Sequence, residues 1–501
     1  MSEVATPRLG RNELHLLLGA VALGVVLRLT SGWSTPLWID ETYTGVIAGT
    51  PDFAGLVEWL RHELSGPVFY TLAWLTAKVA GLSNAGLRAP SYILAVATVL
   101  FVAWRGHPDR ALRLTWAALI ALWWPGIMFA AQARPQALLI FLAVLQAKAF
   151  IGIWKDRHIR LAWLWTTATS LMVLTHLYSI IPAGMQFLAL AWVLRDRAWR
   201  FLPPLIAFVP LAGWYVLQLP YYAQFVASPR SFYPAFGPDD VMSFAVHLVG
   251  GTSIIAWVAL GLSGAITVLV LQSRVAMRPR GRIPGEAVLA ASAVAAAALI
   301  FSIGMFRDSY VDRYLIPCGP AALLGIALAI RHAPDRWRLA AKAIIPLLVA
   351  QTLLLAAVHL RAAAQRDAYP AEFEQVSEWL MEGNRQRPLV FAWDSPATTI
   401  NTDRDLAQIG GFFFSRAGRP REIIVARPPS GEAGAVPLAR AALKERADLI
   451  WLGDGKWPRS LLGVEGLTCR VYHRKKYTQV VACRFTADRP EIDAALTIPV
   501  V

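Results

Sequence analysis

Long apolar runs separated by short polar gaps fill the first 360 residues of the chain. A bilayer core about 30 Å thick needs about 20 mostly apolar helical residues to cross it. The pattern predicts about eleven such helices, at 14–31, 88–104, 114–131, 135–153, 161–178, 180–194, 203–218, 243–271, 286–306, 311–330 and 341–360. Gly66 to Leu82 is also apolar, but counting it as a span would invert the charge pattern of every later loop. Its proline start and its lone Lys78 predict a juxtamembrane or re-entrant helix within a large first outer loop, 32–87. After Leu360 the texture changes. Apolar runs at Pro388–Trp393, Glu422–Ala426 and Asp448–Leu452 alternate with helical stretches near Thr398–Ile409 and Val436–Glu445, the pattern of a small α/β layer. Leu467–Arg474 and Thr478–Phe485 predict a hairpin turning near Lys475 and Lys476, which sets Cys469 opposite Cys483. A disulfide and a pair of buried thiols both fit that placement. The chain therefore reads as an α-helical polytopic membrane domain over 1–360, followed by a small α/β domain over 361–501.

Composition agrees with this pattern. Hydrophobic residues make up 56% of the 501 and charged residues 16%, with a mean hydropathy of +0.46. An ordinary soluble domain is about a quarter charged, so a purely soluble or disordered chain is excluded. The net charge of +15 first points to a polyanion. Its placement gives another reading. Arg8 and Arg11; Arg105, Arg110 and Arg113; Lys155, Arg157 and Arg160; Arg195, Arg197 and Arg200; Arg274, Arg278, Arg280 and Arg282; and Arg331, Arg336, Arg338 and Lys342 all occupy alternate gaps. Cationic short loops stay on the cytoplasmic side, so the surplus reports orientation and nucleic acid drops out as a partner. The N-terminus is expected in the cytoplasm, and an odd number of spans places 361–501 outside it. The run from Leu14 has no A-x-A-like site after it and reads as an uncleaved anchor. Three cysteines without CxxC spacing exclude a zinc module or a disulfide-built scaffold.

Ionisable residues near membrane depth are expensive and default to function. On the expected outer face the clearest cluster is Trp38-Ile39-Asp40-Glu41-Thr42-Tyr43. A carboxylate there can take a proton from a hydroxyl nucleophile, or hold a divalent cation against a phosphate; the structural alternative is an N-cap for the following helix. Farther along lie Arg61, His62 and Glu63, which an ordinary mixed-charge surface helix explains equally well, and then Gly66-Pro67-Val68-Phe69-Tyr70. Arg134 stands between two spans in Gln132-Ala133-Arg134-Pro135-Gln136, where an anchoring role competes with phosphate recognition by its planar fork. His176, in Thr175-His176-Leu177-Tyr178, reads first as a satisfied core residue. The late gap from Arg307 through Tyr310, Asp312, Arg313 and Tyr314 to Pro317 reads as an anion site, with salt bridging between neighbours as its plainer account. In the 361–501 domain, Asp394 reads as a helix cap before Pro396.

Taken in order, these segments resemble the GT-C glycosyltransferases, in particular the family 39 and family 83 branch of protein mannosyltransferases, aminoarabinose transferases and rhizobial galacturonosyl-type transferases. The resemblance covers most of 20–330. It begins at Arg28 and Leu37-Trp38-Ile39-Asp40-Glu41, similar to the family's first-loop acidic pair. It continues through Gly66-Pro67-Val68-Phe69-Tyr70, Leu87-Arg88-Ala89-Pro90-Ser91, Gln132-Ala133-Arg134-Pro135 and Leu174-Thr175-His176-Leu177-Tyr178. It ends at Arg313-Tyr314-Leu315-Ile316-Pro317. The chain departs from the family at Ser65-Gly66, where a histidine and a second proline are usual, at Ala133, often acidic, and at Gln136, often aromatic. Those departures bear on which sugar and which acceptor are handled.

The resemblance implies an integral multi-pass enzyme of a bacterial inner or cell membrane that takes a sugar from a polyprenyl-phosphate carrier on the extracytoplasmic face. The acceptor would be a glycolipid, polysaccharide or protein of the envelope. Asp40 would be the base of an inverting transfer, with Glu41 orienting the donor or assisting a divalent ion. Arg134 and Arg313 would hold the phosphate, joined in the donor site by Arg88, His176 and Tyr314; His62, Glu63, Tyr70 and Tyr310 would line the substrate loop. No cofactor is required by the sequence, and a divalent cation at Asp40 stays open. The rival class is a lipid or solute transporter, but the chain shows no internal repeat of these motifs, and the polar clusters gather at one face instead of the midplane.

Overall fold

The computed structural model describes residues 9–32, 35–227, 237–251, 254–261, 264–265, 283–306, 310–364, 372–382, 386–394, 399, 402–429, 431–453, 459–473 and 479–486. Expectations at Trp33, Arg230, Arg274 to Arg282, Arg307, Thr398, the Lys475 and Lys476 turn and parts of 243–271 lie outside these residues. The membrane domain comprises α1 (Arg11–Thr30), α2 (Ile39–Ala48), α3 (Phe53–His62), α4 (Pro67–Ala80), α5 (Asn84–Arg105), α6 (Arg110–Leu122), α7 (Trp124–Ala130), α8 (Gln136–Asp156), α9 (Ile159–Val173), α10 (Ile180–Leu194), α11 (Val209–Ala227), α12 (Pro238–Val249), α13 (Ile254–Gly261), α14 (Gly285–Phe306), α15 (Gly319–His332) and α16 (Arg338–Ala364). Among the described residues eight helices are long and apolar enough to cross a membrane, and ten if each of two bent pairs counts as one span. The bent pairs are α6 with α7, at 59°, and α12 with α13, at 62°. The remaining expected span corresponds to α9, whose 15 residues reach only about 22 Å.

Local chemistry explains the breaks. Pro125 in the first turn of α7 cannot continue the hydrogen-bond ladder of α6. The carbonyls freed at the break are taken by the buried Arg28, which donates to Ala121 at 2.6 Å and Ile120 at 2.8 Å. The apolar stretch from Gly66 to Leu82 forms the separate 14-residue α4 and is not among the helices long enough to span. Gly66 opens it at φ 96°, where a Cβ would stand 2.2 Å from the Leu174 carbonyl oxygen. Glycine is required there on both counts.

The C-terminal domain contains α17 (Glu372–Met381), β1 (Leu389–Trp393), α18 (Asp403–Arg416), β2 (Ile423–Ala426), α19 (Ala435–Lys444), β3 (Asp448–Gly453), β4 (Leu467–His473) and β5 (Gln479–Phe485). The five strands form one sheet in the order β2-β1-β3-β5-β4, parallel at β2-β1-β3 and antiparallel at β3-β5-β4. Strand side chains alternate faces, and both faces are covered. Val390, Leu449, Trp451 and Val481 pack with Leu438 of α19, whereas Phe391, Ile450, Leu452 and Val480 pack with Phe373, Phe413 and the buried residues of α2, α3 and α4. The second cluster makes the two domains share one core. Cys469 and Cys483 are register partners and form a disulfide.

Candidate functional site

α2 follows α1 after a short loop and carries both carboxylates of the acidic pair, which turn to different partners. Glu41 is 1% exposed and faces Arg88 on α5, whose Nε and Nη2 each donate to it at 2.7 Å in a bidentate fork. The Ala133 amide adds a third bond at 2.7 Å and the Trp38 amide a fourth at 3.4 Å. Arg88 spends its other hydrogens on Gly32, Thr35 and Pro36. Both groups are thus committed inside the protein, and Arg88 presents no guanidinium edge to a phosphate. The pair ties the loop before α2 to α5 and to the Arg134 segment.

Asp40 faces away from that pair. Its Oδ2 accepts from Arg313 Nη1 at 3.0 Å and lies 3.4 Å from Arg134 Nη2. Arg134 also donates through Nη1 to the Asp40 carbonyl and to the Tyr70 hydroxyl, each at 3.1 Å. Tyr70 in turn donates to Glu63 at 3.3 Å, and the Ser65 amide holds the same Glu63 oxygen at 3.2 Å. A continuous chain of Glu63, Tyr70, Arg134, Asp40 and Arg313 results, drawn from five separate stretches of sequence. Burial opposes the charge of Arg134, but Tyr70, Asp40, Glu63 and Glu41 outweigh it and raise its pKa above the ordinary value. Burial pushes the Tyr70 phenol up, so Tyr70 relays as a neutral hydroxyl. Arg134 Nε is buried with no hydrogen-bond partner among the described residues.

Beside the arginines, Tyr314 stacks on Tyr178 with ring centres 4.2 Å apart, and the His176 ring lies 4.9 Å from Tyr314. Burial first, then Arg313 and Arg134, hold the His176 imidazole down at about 3. It is neutral at physiological pH and offers hydrogen bonds without adding to the positive charge.

Two residues expected in the substrate loop lie elsewhere. His62, at the end of α3, turns toward Asp405 of α18 at 3.6 Å, and its neighbour Trp59 donates to Gln408 at 2.8 Å; α3 faces the C-terminal domain. Tyr310 is buried edge-on against Phe301 with ring centres 5.4 Å apart and packs onto Gly304 of α14, within the hydrophobic core of the helical domain. Next to it Asp312, which the sequence offered as a salt-bridge partner of its neighbour Arg313, accepts instead from Ser243 of α12 at 2.6 Å and lies 3.7 Å from His247. Asp394, expected as a helix cap, accepts from the Trp451 indole at 2.7 Å. The sequence missed Tyr178 as a partner of Tyr314, although that aromatic ends the His176 motif. It also missed Glu374 of α17, whose carboxylate accepts from the Leu37 amide three residues before Asp40.

A divalent cation fits poorly at this site. Asp40 already faces two guanidinium groups, and no group of three or more His, Cys, Asp or Glu is arranged to hold a metal ion among the described residues.

No protein-family model matches the chain, and no curated protein matches it by sequence. Solved structures do. The structure of ArnT from Cupriavidus metallidurans in the apo state has a TM-score of 0.59 at 14% identity, over 94% of this chain and 98% of that one. The structure of the same protein bound to undecaprenyl phosphate has a TM-score of 0.56 at 14% identity, over 93% of this chain and 98% of that one. The fold is GT-C. Sharing it over nearly the whole of both chains makes this a multi-pass membrane protein with the small sheet domain at its C-terminus. Within this GT-C scaffold the Asp40 cluster lies past the C-terminal end of α1, while a partly buried ion pair between Glu13 and Arg331 marks the other end of that helix.

Proposed function

We propose that this protein transfers a sugar from a polyprenyl-phosphate carrier to a hydroxyl of a glycolipid, polysaccharide or protein acceptor in the envelope. The observation that carries the reading is the Asp40 carboxylate set between Arg313 and Arg134, on a scaffold whose solved relative binds undecaprenyl phosphate. The donor's phosphate is an anion of the kind that two fixed guanidinium groups accept. When it arrives it competes with Asp40 for Arg313 and frees the carboxylate. Asp40 then takes the acceptor hydroxyl proton as that oxygen bonds to the anomeric carbon. The bond from that carbon to the phosphate oxygen breaks with inversion, and Arg313 and Arg134 stabilise the charge left on the polyprenyl phosphate. Tyr70 and Glu63 orient Arg134, Tyr314 and the neutral His176 flank the donor, and the Glu41–Arg88 pair fixes the loop.

The C-terminal domain and the Asp40 cluster face outside the cytoplasm in this reading. The cationic gaps at the opposite end of the bundle support it, as does a disulfide, which persists in oxidising compartments. The test is to incubate the purified protein with a polyprenyl-phosphate sugar and an envelope extract, and to follow release of polyprenyl phosphate with label appearing in the acceptor. Movement of the intact lipid across a vesicle membrane without release would favour a transporter instead.

A further inference from the structure

The N-terminus of α2 is gripped from two sides. A helix start leaves backbone amides without intrahelical partners; here the buried Glu41 accepts from the amide of the N-cap residue Trp38, and the buried Glu374 accepts from the amide of Leu37, the loop residue just before that cap. Each carboxylate is balanced by an arginine. Glu41 has Arg88 of the membrane domain, and Glu374 has Arg416 of the C-terminal domain. Glu374 is 2% exposed and is further held by Asn84 at the start of α5, whose amide nitrogen lies 3.1 Å from Oε2 and also donates to the Thr35 carbonyl at 3.1 Å. Arg416 donates to Asn84 Oδ1 at 2.6 Å and lies over the Phe413 ring at 4.9 Å. The same helix α18 sends Phe412 onto Gly45 of α2, where a Cβ would stand 2.3 Å from the ring. Of the three acidic residues at this helix start, only Asp40 points toward Arg134 and Arg313.

We propose that Glu374 is a positioning residue for Asp40, so that the C-terminal domain is a working part of the transferase and not only a cover. The inference rests on Asp40 acting in transfer, as proposed above. A carboxylate from one domain holds the loop that enters a helix of the other, three residues before Asp40. Burying an ionised group is costly unless it is paired and hydrogen-bonded. The Glu374 site meets that condition with donors from the loop before α2, from α5 and from α18, and the Leu37 and Asn84 donors hold the carboxylate in place even without Arg416.

The test compares Glu374→Ala with Arg416→Gln. The first removes the acceptor for the Leu37 amide; the second breaks the interdomain ion pair and leaves that acceptor in place. A misplacement of about 1 Å costs about 10²-fold in rate. Glu374→Ala is therefore expected to lower kcat by about 100-fold with the donor KM unchanged within about twofold, and Arg416→Gln to lower kcat by less than about fivefold. Equal losses in the two variants would reduce Glu374 to a domain tether and overturn the proposal, as would wild-type kcat in Glu374→Ala. Hydrogen–deuterium exchange on the same full-length proteins supplies a readout independent of chemistry. Faster exchange in Glu374→Ala at the amides from Leu37 to Thr42, with the sheet strands unchanged, supports the positioning role, and unchanged exchange there overturns it. Should the wild-type protein release no polyprenyl phosphate, the proposed function fails while the exchange measurement still decides what Glu374 does.

Discussion

Asp40 and Arg313 stand 273 positions apart in the chain and meet at 3.0 Å. One follows the first membrane helix and the other opens a late one, so the contact forms only when the bundle has closed. The carboxylate occupies the place between two guanidinium groups that the proposed mechanism gives to the donor phosphate.

Arg313 should therefore matter most for the donor. Removing one positioned donor to a developing negative charge costs about 10²- to 10³-fold in rate. Arg313→Gln is expected to lower kcat/KM for the polyprenyl-phosphate sugar by about that factor. Arg313→Lys recovers only part of it, because an ammonium group lacks the planar fork. Initial rates across a series of donor concentrations check this; equal efficiency in Arg313→Gln would exclude Arg313 from the phosphate site.

Glu41 and Arg88 should behave as a structural pair. Arg88→Gln leaves a carboxylate buried without its counter-charge, which costs about 3–5 kcal/mol. A marked drop in melting temperature in detergent is expected. The Glu41→Gln/Arg88→Gln double variant should lose less than the two single changes summed, because residues in direct contact are coupled. Additive losses would show that the pair does not work as a unit.

The membrane helices and the strands were legible in the sequence for a simple reason: they declare themselves by local periodicity. The hairpin register that places Cys469 against Cys483 came from symmetric spacing alone. What sequence could not show was direction. Asp40 and Glu41 are neighbours in the chain, yet a helix points successive side chains about 100° apart, so one reaches the arginines and the other is sealed against Arg88. His62 and Tyr310 were grouped with the site by proximity in sequence, but the docking of α18 draws the first away and the packing of α14 buries the second. Glu374 had no signal at all, since its role depends on a domain contact 337 residues long in sequence.

The pH dependence of stability should report His176. Its folded pKa, about 3, lies below the ordinary 6.5. Between those values the unfolded chain binds a proton that the folded one does not, so stability falls as pH drops from about 6.5 toward 3. Above about 6.5 the group makes no difference. His176→Gln is expected to flatten this part of the profile, read as melting temperature at a series of pH values. An unchanged slope would mean that His176 is protonated readily in the folded protein.

Asp40 as the base of sugar transfer is tested by Asp40→Asn, assayed with a labelled polyprenyl-phosphate sugar. Loss of a positioned base costs about 10²- to 10⁴-fold. Transfer is expected to fall by at least about 10²-fold in a protein that still inserts, melts near the wild-type temperature and binds the donor. Near-normal release of polyprenyl phosphate by Asp40→Asn would contradict it.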